Sequence, residues 1–208
     1  MIHLEIYLFW ELNDIGIAGD EEDNTGKKTE NLHSGGETSQ LQVDEQVELL
    51  KEKAASLYDK KDYAAERQTL LKALELAPED PDTLVRLGRA YRLMGSYDKA
   101  MEMYRKAEEL DPNMPSLYCN IGVVLNSLGQ YAEAKEQYEK AIAMMESNSY
   151  YVHPDGIPIF YGNYALCLGK LGDKKNAKKY LSIAKQKGYD KECIDSICKE
   201  IGLFRFLI

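Results

Sequence analysis

The stretch that decides the fold is "LGRAYRLMGSYDKA", Leu87 to Ala100, which returns in altered form as "IGVVLNSLGQYAEA", Ile121 to Ala134. Gly88 meets Gly122, Gly95 meets Gly129, Tyr97 meets Tyr131 and Ala100 meets Ala134, each 34 residues on. Carried backwards, the register sets Tyr63 under Tyr97, Ala73 under Ala107 and Pro78 under Pro112. Three units follow, at about 47–80, 81–114 and 115–148. A fourth, at 158–187, keeps the internal spacing through Gly172, Ala177, Leu181 and Ala184. It is displaced by 43 residues rather than 34, so the turn-rich 149–157 reads as an insertion.

A 34-residue unit of this kind reads as two helices and a tight turn. In the second unit the pattern predicts one helix from about Asp82 to Met94 and another from about Ser96 to Leu110. Gly95 sits where a helix C-terminus needs a left-handed residue. Gly88 and Ala100 let the two backbones approach, with Leu84, Leu87, Tyr91 and Tyr104 filling the space around them. Pro112 ends the second helix. Such a hairpin cannot cover its own apolar face, so the next must stack on it.

The pattern resembles the tetratricopeptide repeat family. The second unit carries the resemblance most fully, through Leu84, Leu87, Gly88, Tyr91, Gly95, Tyr97, Ala100, Tyr104, Ala107 and Pro112. The third follows through Ile121, Gly122, Leu125, Tyr131, Ala134, Tyr138 and Ala141. The first departs from it: Lys53 stands for a large apolar residue, Ala54 for the glycine and Glu66 for the packing alanine. In the fourth, Lys174 replaces a tyrosine. The resemblance implies an all-α, right-handed superhelix of stacked helix-turn-helix hairpins spanning 41–187, its first helices lining a concave groove that holds a peptide. Residues 188–208 complete the chain as a capping helix, with Asp190 as its N-cap, and an apolar tail "LFRFLI".

Ahead of the repeats, 1–40 divides into an apolar start and a linker. "MIHLEIYLFW" alternates at first, with Ile2, Leu4, Ile6 and Leu8 against His3, Glu5 and Tyr7, which suggests a strand, but Phe9, Trp10 and Leu12 break the alternation and leave a short amphipathic helix as the alternative. Residues 19–40 are too polar to bury a core and read as a flexible linker.

By the family register, the groove would display Arg86, Arg89 and Arg92 from the second unit. Asn120, Val123 and Asn126 would follow from the third, and Asn163, Leu166 and Lys170 from the fourth. The arginines lie three apart and form a basic stripe on one helix, suited to an acidic group or a C-terminal carboxylate. The blander expectation is a charged face held by salt bridges to Glu102, Glu108 or Glu109. Asn120 and Asn163 could bond the backbone of an extended peptide. On this reading Arg89 and Asn120 can be replaced together without loss of the fold. A chaperone-tail clamp fits poorly: Lys51 falls at a clamp lysine, but Ala55 and Arg86 replace asparagines.

Composition narrows the function classes. The net charge of −9 disfavours a nucleic-acid binder. Cys119, Cys167, Cys193 and Cys198 have no zinc spacing and read as free thiols. No run approaches the ~20 apolar residues of a membrane span. The first residues lack the basic start of a secretory signal, which points to the cytoplasm. No catalytic set, cofactor motif or metal cluster stands out, so no catalysis and no cofactor are expected. The leading expectation is a non-catalytic adaptor for a protein or peptide. The alternative is a self-assembling scaffold, a homo-oligomer joined through the apolar termini.

Overall fold

The structure, a computed structural model, describes residues 35–147 and 156–203. The expected strand in 1–12, most of the linker and insertion, and the last five residues of the tail lie outside the described residues.

Among the described residues the chain is a run of nine helices with no strand: α1 (Gly35–Asp59), α2 (Tyr63–Leu76), α3 (Pro81–Leu93), α4 (Tyr97–Leu110), α5 (Pro115–Ser127), α6 (Tyr131–Glu146), α7 (Gly156–Lys170), α8 (Lys174–Gln186) and α9 (Lys191–Glu200). The first eight pair as the hairpins α1/α2, α3/α4, α5/α6 and α7/α8, stacked into a right-handed superhelix. Within the second unit the helix bounds fall within a residue of those expected. α1 begins at Gly35, inside the stretch expected to be linker. Extending a packed helix costs little per residue, and Gln40 donates to Asp44 at 2.9 Å one turn on.

Local chemistry sets the helix ends. The carboxylates of Asp62, Asp80, Asp173 and Asp190 each accept a backbone N–H of the first turn they precede. Gly95, Gly129 and Gly172 close their hairpins in the left-handed region. At the same place in the first unit stands Lys61, with φ of 59°, so that turn is made at the steric cost of a side chain.

The contact between paired helices is a matter of volume. In the second unit a Cβ on Gly88 would lie 2.4 Å from the Tyr104 ring, and on Gly122 in the third 2.7 Å from Tyr138. In the outer units the same places hold Ala54 against Leu70 and Ala165 against Leu181, all at most 1% exposed. A methyl gained on one helix is matched by a smaller side chain on the other, which keeps the core at close packing.

The fourth unit is fastened across the insertion by tyrosines. Tyr164 donates to Glu139 at 2.7 Å and Tyr161 to Glu146 at 3.1 Å, tying α7 to α6. Burial, followed by the Glu146 carboxylate, pushes the Tyr161 phenol up to about 12. The capping helix α9 packs on α7 and α8. Its end comes close because Gly169 has no side chain: a Cβ there would be 2.5 Å from Ile201.

Candidate functional site

Five of the nine expected groove residues come together in one cleft on the inner wall. Arg89 and Arg92 of α3, Asn120 and Val123 of α5, and Asn163 of α7 line it with Tyr58, Ser116, Cys119, Gly156, Ile159 and Phe160. Its volume is about 40 Å³, room for the end of one side chain. The walls are apolar through Val123, Ile159 and Phe160, and polar groups rim them.

The polar groups are not equivalent. Asn120 donates its amide to the Ser116 carbonyl of its own helix at 2.9 Å. Asn163 donates to the Cys119 sulfur at 3.9 Å, a weak contact. Its amide oxygen is buried and has no hydrogen-bond partner among the described residues. A buried amide oxygen without a donor is costly, and a ligand N–H would satisfy it. Cys119 is held inert, because burial pushes its thiol up to about 12.

The basic stripe is not displayed as expected. Arg89 is 4% exposed and pairs at 3.0 Å with Glu66, which is fully buried on α2. The Arg89 guanidinium also lies 3.9 Å from the centre of the Tyr58 ring. Its charge is therefore largely answered from within the protein, and removing it would take an ion-pair partner from a buried carboxylate. That overturns the expectation that Arg89 can be replaced without loss of the fold. Arg92 is buried beside Tyr104, whose phenol burial pushes up to about 12 against the opposing pull of Arg92. Arg86 turns to Asp82 at 2.9 Å. Of the acidic partners expected from α4, Glu102 pairs with Lys106 and Glu108 with Lys140.

Four expected residues do not line the cleft. Besides Arg86, Asn126 donates to the Tyr138 hydroxyl at 3.1 Å, bracing α5 on α6. Leu166 is 2% exposed and belongs to the main apolar core. Lys170 pairs with Glu200 of the capping helix at 2.7 Å. Lys51 likewise pairs with Asp80 at 2.9 Å and with Glu48. Sequence reasoning missed Tyr58, Cys119, Gly156 and Phe160 as cleft residues. A signal for the Glu66–Arg89 pair did exist: a carboxylate stands where the other units carry Ala100, Ala134 and Ala177.

All four cysteines are free thiols. Among the described residues no group of metal-ligating side chains is assembled, and no helix is long and apolar enough to cross a membrane.

Stacked hairpins with their first helices forming an inner wall define an α-solenoid of helical repeats. Family models agree. One described as a TPR repeat matches residues 88–128, and three described as tetratricopeptide repeats match 69–102, 115–148 and 159–184. The chain belongs to the tetratricopeptide repeat family. The solved structure of Pseudomonas aeruginosa pilF is 20% identical, covers 79% of this chain and 70% of its own, and has a TM-score of 0.66. PilW, described as a type IV pilus biogenesis factor, is also 20% identical, with coverage of 77% and 70% and a TM-score of 0.65. MamA is 23% identical, with coverage of 72% and 83% and a TM-score of 0.54. At these identities the likeness is one of fold. No curated protein matches the sequence. Family and fold together support a protein-interaction adaptor.

Proposed function

We propose that this chain is a non-catalytic adaptor that holds an extended segment of a partner protein on its inner wall. One apolar side chain of that segment enters the cleft between Val123, Ile159 and Phe160. A flanking backbone N–H is donated to the Asn163 amide oxygen, and Arg92 favours a carboxylate beside the anchor. The observation that carries the reading is the buried, unpartnered Asn163 oxygen at an apolar cleft. Apolar walls with one convergent polar group are what a peptide anchor requires.

The test is a peptide array probed with the full chain and with Asn163→Leu, which keeps the volume and removes the acceptor. Array peptides with a single large apolar anchor should bind the full chain and lose about tenfold or more with the variant, as expected for one buried hydrogen bond of about 1.4 kcal/mol. Equal binding by both would remove Asn163 from the site.

A self-assembling scaffold is the second reading. Its apolar ends lie outside the described residues, but Leu41 and Leu49 of α1 are 67% and 57% exposed and two turns apart. A mass in solution that stays monomeric at high protein concentration would dismiss it.

A further inference from the structure

We infer that the inner-wall cleft has an occupant within this chain, the segment Ile2 to Leu12, which competes with partner peptides. The inference rests on the peptide-groove reading above and adds its regulation.

Three observations point to this occupant. The first is side-chain pattern. Nine of the first twelve residues are apolar, and Ile2, Leu4, Ile6 and Leu8 recur at every second position. An extended segment of that kind offers apolar anchors on one face and backbone N–H groups along its edge. The cleft takes the end of one apolar side chain and presents an unpartnered acceptor in Asn163.

The second is charge. The first fourteen residues carry Glu5, Glu11 and Asp14 and no Lys or Arg. Of the chain's net charge of −9, −6 falls on residues 1–34 themselves, so a basic wall on the repeats is what would favour this segment. The cleft has such a wall: two guanidiniums, Arg89 and Arg92, stand in it against the one carboxylate of Glu66 that pairs with Arg89.

The third is reach. α1 starts at Gly35, and Tyr58 near its other end lines the cleft. At ~1.5 Å per residue those points are roughly 35 Å apart. Twenty residues, 15–34, lie within the stretch 13–34 that joins the apolar segment to α1. A Gly- and Ser-containing chain of that length spans roughly 25 Å on average and about 65 Å at full stretch. The tether reaches the cleft without strain, and its effective concentration there is on the order of 1 mM. A segment binding in trans at about 100 µM would then weaken partner binding about tenfold.

Trp10 is the single tryptophan and reports directly on the segment. In the full chain its emission should be blue-shifted, shielded from acrylamide and independent of protein concentration. Val123→Arg should shift it to the red with no change in helicity. Should that variant fail to fold, Leu4→Asp with Leu8→Asp, which leaves the repeats untouched, should give the same shift. The double variant should bind a labelled synthetic peptide of residues 1–14 about tenfold more tightly than the unaltered chain does. A solvent-exposed Trp10 in the unaltered chain would overturn the inference. So would emission that ignores Val123→Arg in a folded protein, or a shift that vanishes on dilution and so reports a second copy. Array peptides that bind the unaltered chain and the double variant alike would leave the groove standing and remove its internal occupant. If no array peptide binds either protein, it is the groove reading that falls.

Discussion

Glu66 and Arg89 show how one residue out of pattern changes what its neighbours can do. The other units place alanine where Glu66 stands, and there the small side chain lets two helices pack. Glu66 instead reaches from α2 to α3 and pairs with Arg89, both buried. Removing either takes from the other the partner that answers its buried charge. Glu66→Ala or Arg89→Met singly should cost about 3–5 kcal/mol in chemical denaturation, and the double variant should recover most of that loss. Additive losses would mean that the two charges do not answer each other. The sequence made the position of Glu66 visible as a departure. The pairing was not legible, because it links residues 23 apart on separate hairpins and depends on the angle at which the two units stack.

At the scale of the element, the hairpin is governed by a sum of two volumes. Glycine with tyrosine in the middle units and alanine with leucine in the outer units fill the same place. Gly88→Ala should drive a methyl into the Tyr104 ring and cost about 1–3 kcal/mol. Tyr104→Leu should leave a void and cost about 2 kcal/mol or more. Together they reproduce the pair Ala54 and Leu70, and the double variant should lie within about 1.5 kcal/mol of the unaltered chain in thermal unfolding. A double variant as poor as the sum of the two would show that the units are not interchangeable.

Neighbouring units are also joined by charge. Burial alone would raise the Asp80 carboxyl, but hydrogen bonds from Thr83 and the Lys51 ammonium outweigh it and hold it below its ordinary value of 3.8. Asp80 caps α3 while Lys51 reaches it from α1, so one carboxylate both starts a helix and ties two units. A depressed folded pKa means that the contribution is present above pH 3.8 and is lost as pH falls through the folded value. Asp80→Asn should therefore flatten the fall in stability below about pH 4. An unchanged acid limb would show that the pair contributes nothing.

For the molecule as a whole, the repeat was plain in the sequence. Gly88, Gly95, Tyr97 and Ala100 recur on a fixed period, and helical hairpins that cannot bury their faces alone must stack. The inner wall was legible only in part. Arg89, Arg92, Asn120, Val123 and Asn163 meet as the register implies. Leu166 and Lys170 do not, because the capping helix and the core claim the end of α7. Periodicity tells which residues share a face of one helix. It does not tell how far a neighbouring helix overlaps that face, and that overlap separates a core residue such as Leu166 from a cleft residue such as Asn163.

Docking of partner peptides on the inner wall can be seen residue by residue. Amide resonances of the full chain, titrated with a peptide selected on the array, test it most directly. Shifts should concentrate on Arg89 to Arg92, Cys119 to Val123 and Ile159 to Asn163, along α3, α5 and α7. Shifts confined to the outer helices α4, α6 and α8 would contradict it.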